Sequence, residues 1–295
     1  MAETTTGDRP MPAVLALAEL GELFSSGDGA SHLIEARPGW SAKLYDEPGD
    51  RAEADRLDEL VALPAALPAE DVATLRRHTC WPVARITTPE NPARGCVIPE
   101  IPEPLAPLRG VRATRAQRLG ACRELVAVAE VLERHHLVHP DWSEDTARWG
   151  RDASVLVLDV DRCARGAVPN ARRDGWDDPL APAATDADNA TDRFRVALLV
   201  ARVLTGSTER AAVAHDLADS DGFGNRGLRE ILLDALLSTD REQRPSMVEL
   251  SSVLAGEVYA GRGSFTARGP LPARAAAAAS TPSPGAEPIS VEYLD

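Results

Sequence analysis

One short stretch divides this chain into two unlike parts. Residues 99–104 read Pro-Glu-Ile-Pro-Glu-Pro. Proline lacks a backbone N–H and fixes its own φ, so neither a helix nor a central strand continues through such a segment. The residues before it carry strand-like alternation, and those after it carry mainly helical periodicity. A chain patterned this way is expected to be α+β, with a small mostly β part and a larger helical part joined at a hinge.

Residues 1–12 are polar and Pro-containing and are expected to be disordered; residues 13–98 form the first part. A Ser-Ser-Gly-Asp-Gly turn at Ser25 to Gly29 interrupts its first strands. Trp40 to Tyr45 alternates like a half-buried strand. Residues 51–63 predict a short helix with Leu57, Leu60 and Val61 on one face, ended by Pro64 to Pro68. Residues 81–87 and 94–98 read as two more strands. Residues 105–260 form the second part. Its first helix, over 113–136, places Leu125, Val128, Ala129 and Leu132 in one stripe. A compact strand over 154–160 follows. Helices are then expected over 191–204, ending at Gly206, and over 228–237 and 246–254. Ala, Pro, Gly and Ser dominate from residue 261, so 261–295 reads as a disordered tail.

The chain carries 46 acidic against 32 basic residues, a formal net charge of −14. That field repels phosphate backbones and anionic lipid heads, so neither nucleic acid nor membrane is expected as a partner. No apolar run is long enough for a membrane helix. The N-terminus lacks the basic start of a signal peptide. Cys80, Cys96, Cys122 and Cys163 form no CxxC pair and read as reduced, buried thiols of a cytoplasmic protein. His135, His136 and His139 have no acid or cysteine partner at metal-ligand spacing and read as polar residues near a helix end. Lysines are so few beside the arginines that Lys43, inside an apolar strand, stands out.

Four fragments occur in a particular order. A Gly-containing turn precedes the strand bearing Lys43. A long helix is followed by His139-Pro140-Asp141. A Val/Leu strand ends at Asp159-Val160-Asp161. Asp192 opens a helix, and Asp240-Arg241-Glu242-Gln243-Arg244-Pro245-Ser246 comes late. In this order the chain resembles the protein kinase superfamily, in its bacterial eukaryotic-like serine/threonine branch, over roughly residues 15–257. The resemblance implies a bilobal kinase-like fold that binds ATP and Mg2+ and acts on a protein substrate or partner. In that reading Gly27, Gly29, Lys43 and Glu100 belong to the nucleotide site, with Glu53 or Glu59 as the helix acid beside Lys43. Glu53 is preferred because it shares the face of Leu57 and Leu60. Asp141 becomes the residue that orients the attacking hydroxyl, Asp159 and Thr146 hold metal, and Asp192 braces the catalytic loop.

The residue types suit phosphoryl transfer, which needs positioning and charge neutralisation more than covalent help. The sequence also departs from the family. Thr146 stands where the second metal-binding Asn is expected, Pro140 replaces the Arg of His-Arg-Asp, and Asp161 replaces the Gly of Asp-Phe-Gly. The Glu that should pair with the late arginine falls on Leu180, so Arg244 is expected to take Asp177 or Asp178 instead. Two rival readings follow: a pseudokinase acting as a nucleotide-binding or scaffolding module, and a small-molecule phosphotransferase of the aminoglycoside type.

Overall fold

The computed structural model describes residues 11–20, 25–26, 31–37, 39–102, 104–108, 113–150, 154–170, 172–181, 185–219, 225–259, 261 and 269–272. Gly27, Gly29 and almost all of both expected disordered ends lie outside these residues. The architecture is mixed α+β, with an N-terminal sheet and a larger helical region.

Six strands build the sheet: β1 (Val14–Ala16), β2 (Ser25–Ser26), β3 (Ser31–Arg37), β4 (Trp40–Gly49), β5 (Ala84–Thr87) and β6 (Ala93–Pro99). Their order is β1-β5-β6-β4-β3-β2, with every pairing antiparallel except β1 with β5. Lys43 sits in mid-sheet, opposite Leu33 on one side and Cys96 on the other. Because successive strand side chains point to opposite faces, β4 serves two layers. Ala42 and Leu44 pack with Leu15, Ile86 and Val97, whereas Tyr45 packs with Cys96, Leu57 and Ile98 on the face that Lys43 shares.

Helix α1 (Arg51–Ala62) starts at Asp50, whose carboxylate accepts from the Glu53 N–H. It matches the expected helix. A second helix, α2 (Ala69–His78), was not expected from periodicity. Leu60, Leu63, Leu75 and Trp81 pack into the same core as the helical region, so the stretch after α1 is anchored to the second part of the chain. His78 Nδ1 meets the Val155 carbonyl at 3.1 Å, and Thr79 bridges Val157.

The helical region contains α3 (Arg115–Arg134), α4 (Asn189–Thr205), α5 (Arg210–Asp219), α6 (Arg226–Leu237) and α7 (Met247–Ala255). Thr114 and Gln117 form a reciprocal cap on α3, and Ser246 and Glu249 do the same on α7. Leu125, Val128, Ala129 and Leu132 are all buried, as their stripe predicts. Helix α4 is buried along almost its whole length and ends at Gly206 with φ 77°, the left-handed position glycine takes without strain. Each fully buried leucine of this core contributes about 1.5–3 kcal/mol. Helix α5 was not expected.

Two small sheets line the junction between sheet and helices. β7 (Ala106–Pro107), β9 (Ala147–Trp149) and β10 (Val155–Val157) form one; β8 (Leu137–Val138) and β11 (Ala164–Arg165) form the other. The strand expected over 154–160 is shorter, because Asp159 turns the chain with φ 58° and residues 160–162 coil into a 3-10 turn. No helix among the described residues is long and apolar enough to cross a membrane.

Candidate functional site

Lys43 projects from β4 onto the turn after β10. Its Nζ donates to Asp159 Oδ1 at 2.7 Å and to Asp161 Oδ1 at 2.9 Å, joining residues 116 and 118 apart in sequence. Asp161 also accepts from the Tyr45 hydroxyl at 2.7 Å. Burial opposes the ammonium, but the charges of Asp161 and Asp159 outweigh it and raise Lys43 above its ordinary value. Burial likewise opposes the Asp161 carboxylate, yet Lys43 and the Tyr45 hydroxyl hold it below the usual range. Burial drives the Tyr45 phenol well up, so it donates and does not ionise. Asp161 is buried, whereas the Asp159 side chain keeps 44% of its surface open. The positive φ of Asp159 aims these two carboxylates at one ammonium, a backbone position few non-glycine residues take without local reinforcement.

The loop over 139–146 is tied down from within. The Asp141 N–H donates to His139 Nδ1 at 3.1 Å, so Nε2 carries the ring proton and donates to the Leu158 carbonyl at 2.9 Å. Burial lowers the His139 pKa and keeps the ring neutral. Asp192, from α4, accepts the His139 N–H at 3.0 Å. Burial pushes Asp192 up to about 8 against the pull of that N–H. The Thr146 hydroxyl donates to the Asp141 carbonyl at 2.6 Å and accepts from the Ser143 N–H. One hydroxyl thus closes the loop around Asp141.

The segment between β11 and α4 folds over this loop. Arg173 forks between the carboxylates of Asp141, at 2.9 Å, and Asp145. Burial opposes the guanidinium, but Asp145, Asp141 and Asp159 together raise its pKa. Arg195, buried in α4, donates to the Pro140 carbonyl at 2.8 Å and to Asn170 at 2.6 Å. It therefore ties loop and segment to one helix. Farther along, Arg244 donates to both oxygens of Asp178, at 2.7 and 2.6 Å, and both side chains are buried. Arg241 adds a third contact to the same carboxylate at 2.9 Å. The acid expected at Asp177 or Asp178 is Asp178.

The sequence-predicted residues thus divide. Lys43, Asp159, Asp141 and Asp192 gather around one cleft and its loop. Glu53 does not reach Lys43: it holds Arg56, with Nε to Oε2 at 2.9 Å, and Arg56 in turn donates to the Asp161 and Cys163 carbonyls at 2.5 and 2.7 Å. Glu59 instead pairs with Arg165. The expectation that a helix acid would neutralise the lysine is corrected, because the two aspartates already do so. Thr146, expected to hold metal, has its buried hydroxyl engaged by the loop backbone. Glu100 is exposed, and its N–H is bonded to the Gly39 carbonyl at 2.9 Å.

Among the contributors that escaped sequence reading are Arg56, Arg173 and Arg195. In an arginine-rich chain nothing marks them out before the fold brings them together. One stronger signal was there to be counted: Lys43 is the only lysine among 32 basic residues. Among the described residues the oxygens that meet the Lys43 ammonium are carboxylates, and no three His, Cys, Asp or Glu side chains gather as a metal site made by protein alone. No protein-family model matches the chain, and no curated protein matches it.

Proposed function

We propose that the chain is a divergent kinase-like phosphotransferase that binds ATP with Mg2+ and transfers the terminal phosphoryl group to a serine or threonine hydroxyl of a protein. The observation that carries this reading is the 2.7 Å contact between Lys43 and Asp159. A strand ammonium and a turn carboxylate meet there across 116 residues, as one site for phosphates and a hard cation requires. Asp159 and Asp161 offer the carboxylate oxygens that Mg2+ accepts alongside substrate phosphates, and the ion would supply charge neutralisation. A chain that is otherwise all arginine in its basic residues keeps its one lysine here. A compact ammonium fits between two carboxylates and phosphate oxygens where a planar guanidinium does not.

In the transfer, the substrate hydroxyl oxygen forms a bond to the terminal phosphorus while the bond to the bridging oxygen of ADP breaks. Asp141 takes or orients the hydroxyl proton. His139, Thr146 and Asp192 hold the loop that presents it. Lys43 leaves the aspartates for the phosphates. Arg173 must release Asp141 before the hydroxyl can reach that carboxylate. The four buried, unpaired thiols suit a cytoplasmic setting.

One observation favours a second reading, in which nucleotide is bound but not turned over: Arg173 covers Asp141 while Thr146 is spent on the loop. The Arg244–Asp178 pair weighs against a small-molecule phosphotransferase, a class that does not need it. Thermal unfolding with millimolar Mg-ATP tests the nucleotide site. Wild type should gain stability and Lys43→Ala should gain none; no gain in wild type overturns the proposal.

A further inference from the structure

A cavity of about 400 Å³ opens where α3, α4, α6 and α7 meet, and none of its residues belongs to the Lys43–Asp159 cleft. Arg115, Arg118 and Arg123 line it, and among the described residues no acidic side chain does. In a chain of net charge −14, a described lining whose charged side chains are all arginine stands against the surface average. The helix ends add to it. The starts of α3 and α6 border the cavity through Ala113 and Asn225, bringing the positive ends of two dipoles. The opposing negative ends of α4 and α7 each receive one guanidinium contact. Arg118 Nη1 donates to the Val203 carbonyl at 3.3 Å, and Arg123 Nε donates to the Leu254 carbonyl at 2.8 Å. Each contact uses one of five guanidinium N–H donors. Among the described residues, neither arginine has a carboxylate partner. Leu119, Leu204 and Leu254 supply an apolar wall.

We propose that this cavity binds a small phosphate monoester with a short apolar body. Its volume lies within the ordinary range of small-molecule pockets, roughly 300–1,000 Å³. A phosphate dianion matches guanidinium forks better than a single carboxylate does. The leucines would take the apolar body. The inference stands apart from the nucleotide reading and does not depend on it.

The test uses the full chain with phenyl phosphate as probe, by isothermal calorimetry and by NMR of leucine methyl groups. Saturable binding is expected, with shifts at Leu119 and Leu254. Binding should persist in Lys43→Ala and weaken as ionic strength rises. Arg118→Gln should weaken it about tenfold or more. Because Arg118 also caps α4, Arg115→Glu serves as the second variant; Arg115 is exposed at the start of α3, and a carboxylate there should abolish binding. Inorganic phosphate and phenylacetate should each bind more weakly than phenyl phosphate. No saturable binding overturns the proposal, as does full affinity in Arg115→Glu. Equal affinity for inorganic phosphate would reduce the cavity to a generic anion site, and equal affinity for phenylacetate would reject the phosphate head.

Discussion

Replacing Arg244 by Ala removes the guanidinium that holds both oxygens of Asp178, with both side chains buried. Breaking a buried ion pair by deleting one partner costs about 3–5 kcal/mol, because the remaining charge is poorly solvated. Asp178 would keep Arg241 at 2.9 Å and the Leu180 N–H at 2.9 Å, which points to the lower end of that range. The guanidinium also lies 5.1 Å from the Phe194 ring, so a cation–π contact is lost as well. A loss of about 3 kcal/mol corresponds to a fall in Tm of roughly 6–12 °C for a chain of this size. Urea unfolding of wild type, Arg244→Ala, Asp178→Asn and the double variant would measure the coupling directly. The acid limb gives an independent sign. Burial opposes ionisation of Asp178, but the hydrogen bonds and charge of Arg244 hold its pKa below the ordinary carboxylate value. The pair's contribution is therefore present above that ordinary value and lost as pH falls through the native one. A cost under about 1 kcal/mol, the worth of a surface pair, would refute the reasoning.

Lys43→Ala leaves the Tyr45 hydroxyl as the hydrogen-bond donor to buried Asp161 among the described residues, so besides abolishing the Mg-ATP shift it should lower stability by about 3 kcal/mol in urea unfolding. Asp192 is raised to about 8 by burial, so between its unfolded value near 4 and about 8 the native state binds the extra proton and stability falls as pH rises. Asp192→Asn should flatten that slope in thermal unfolding across the same window. Thr146→Asn should increase the rate of phosphotransfer by adding a carbonyl ligand beside Asp141; an unchanged rate in a single-turnover assay would place the limitation elsewhere.

Much of the fold was legible because it rests on short-range pattern. Leu125, Val128, Ala129 and Leu132 are buried as their 3.6-residue stripe requires, and Gly206 ends α4 in the left-handed conformation. Helix α2 has no clear apolar stripe, and only charge marks it. Glu70 and Asp71 lie in its first turn and Arg76, Arg77 and His78 in its last, the arrangement that complements a helix dipole. Lys43, Asp159 and Asp192 could be singled out because their residue types are rare or specific in their positions. The Asp178 partner of Arg244 was legible for a physical reason, since a buried guanidinium needs an acid and only two stood in place. The corrections arose where charge had more than one destination. Glu53 lies on the expected face of α1, yet Arg56 one turn later takes it. Arg173 and Arg195 act across the fold from a background of similar arginines, and periodicity carries no information about such partners.

The central claim is that Asp141 presents a hydroxyl to ATP held at Lys43 and Asp159. Its most direct test is transfer of the terminal phosphoryl group from labelled Mg-ATP to protein serine and threonine, comparing wild type with Asp141→Asn. The account predicts slow labelling by wild type and its loss in Asp141→Asn, while both proteins keep the Mg-ATP-induced rise in Tm. Equal labelling by the two proteins, or no labelling by a wild type that binds Mg-ATP, would contradict it.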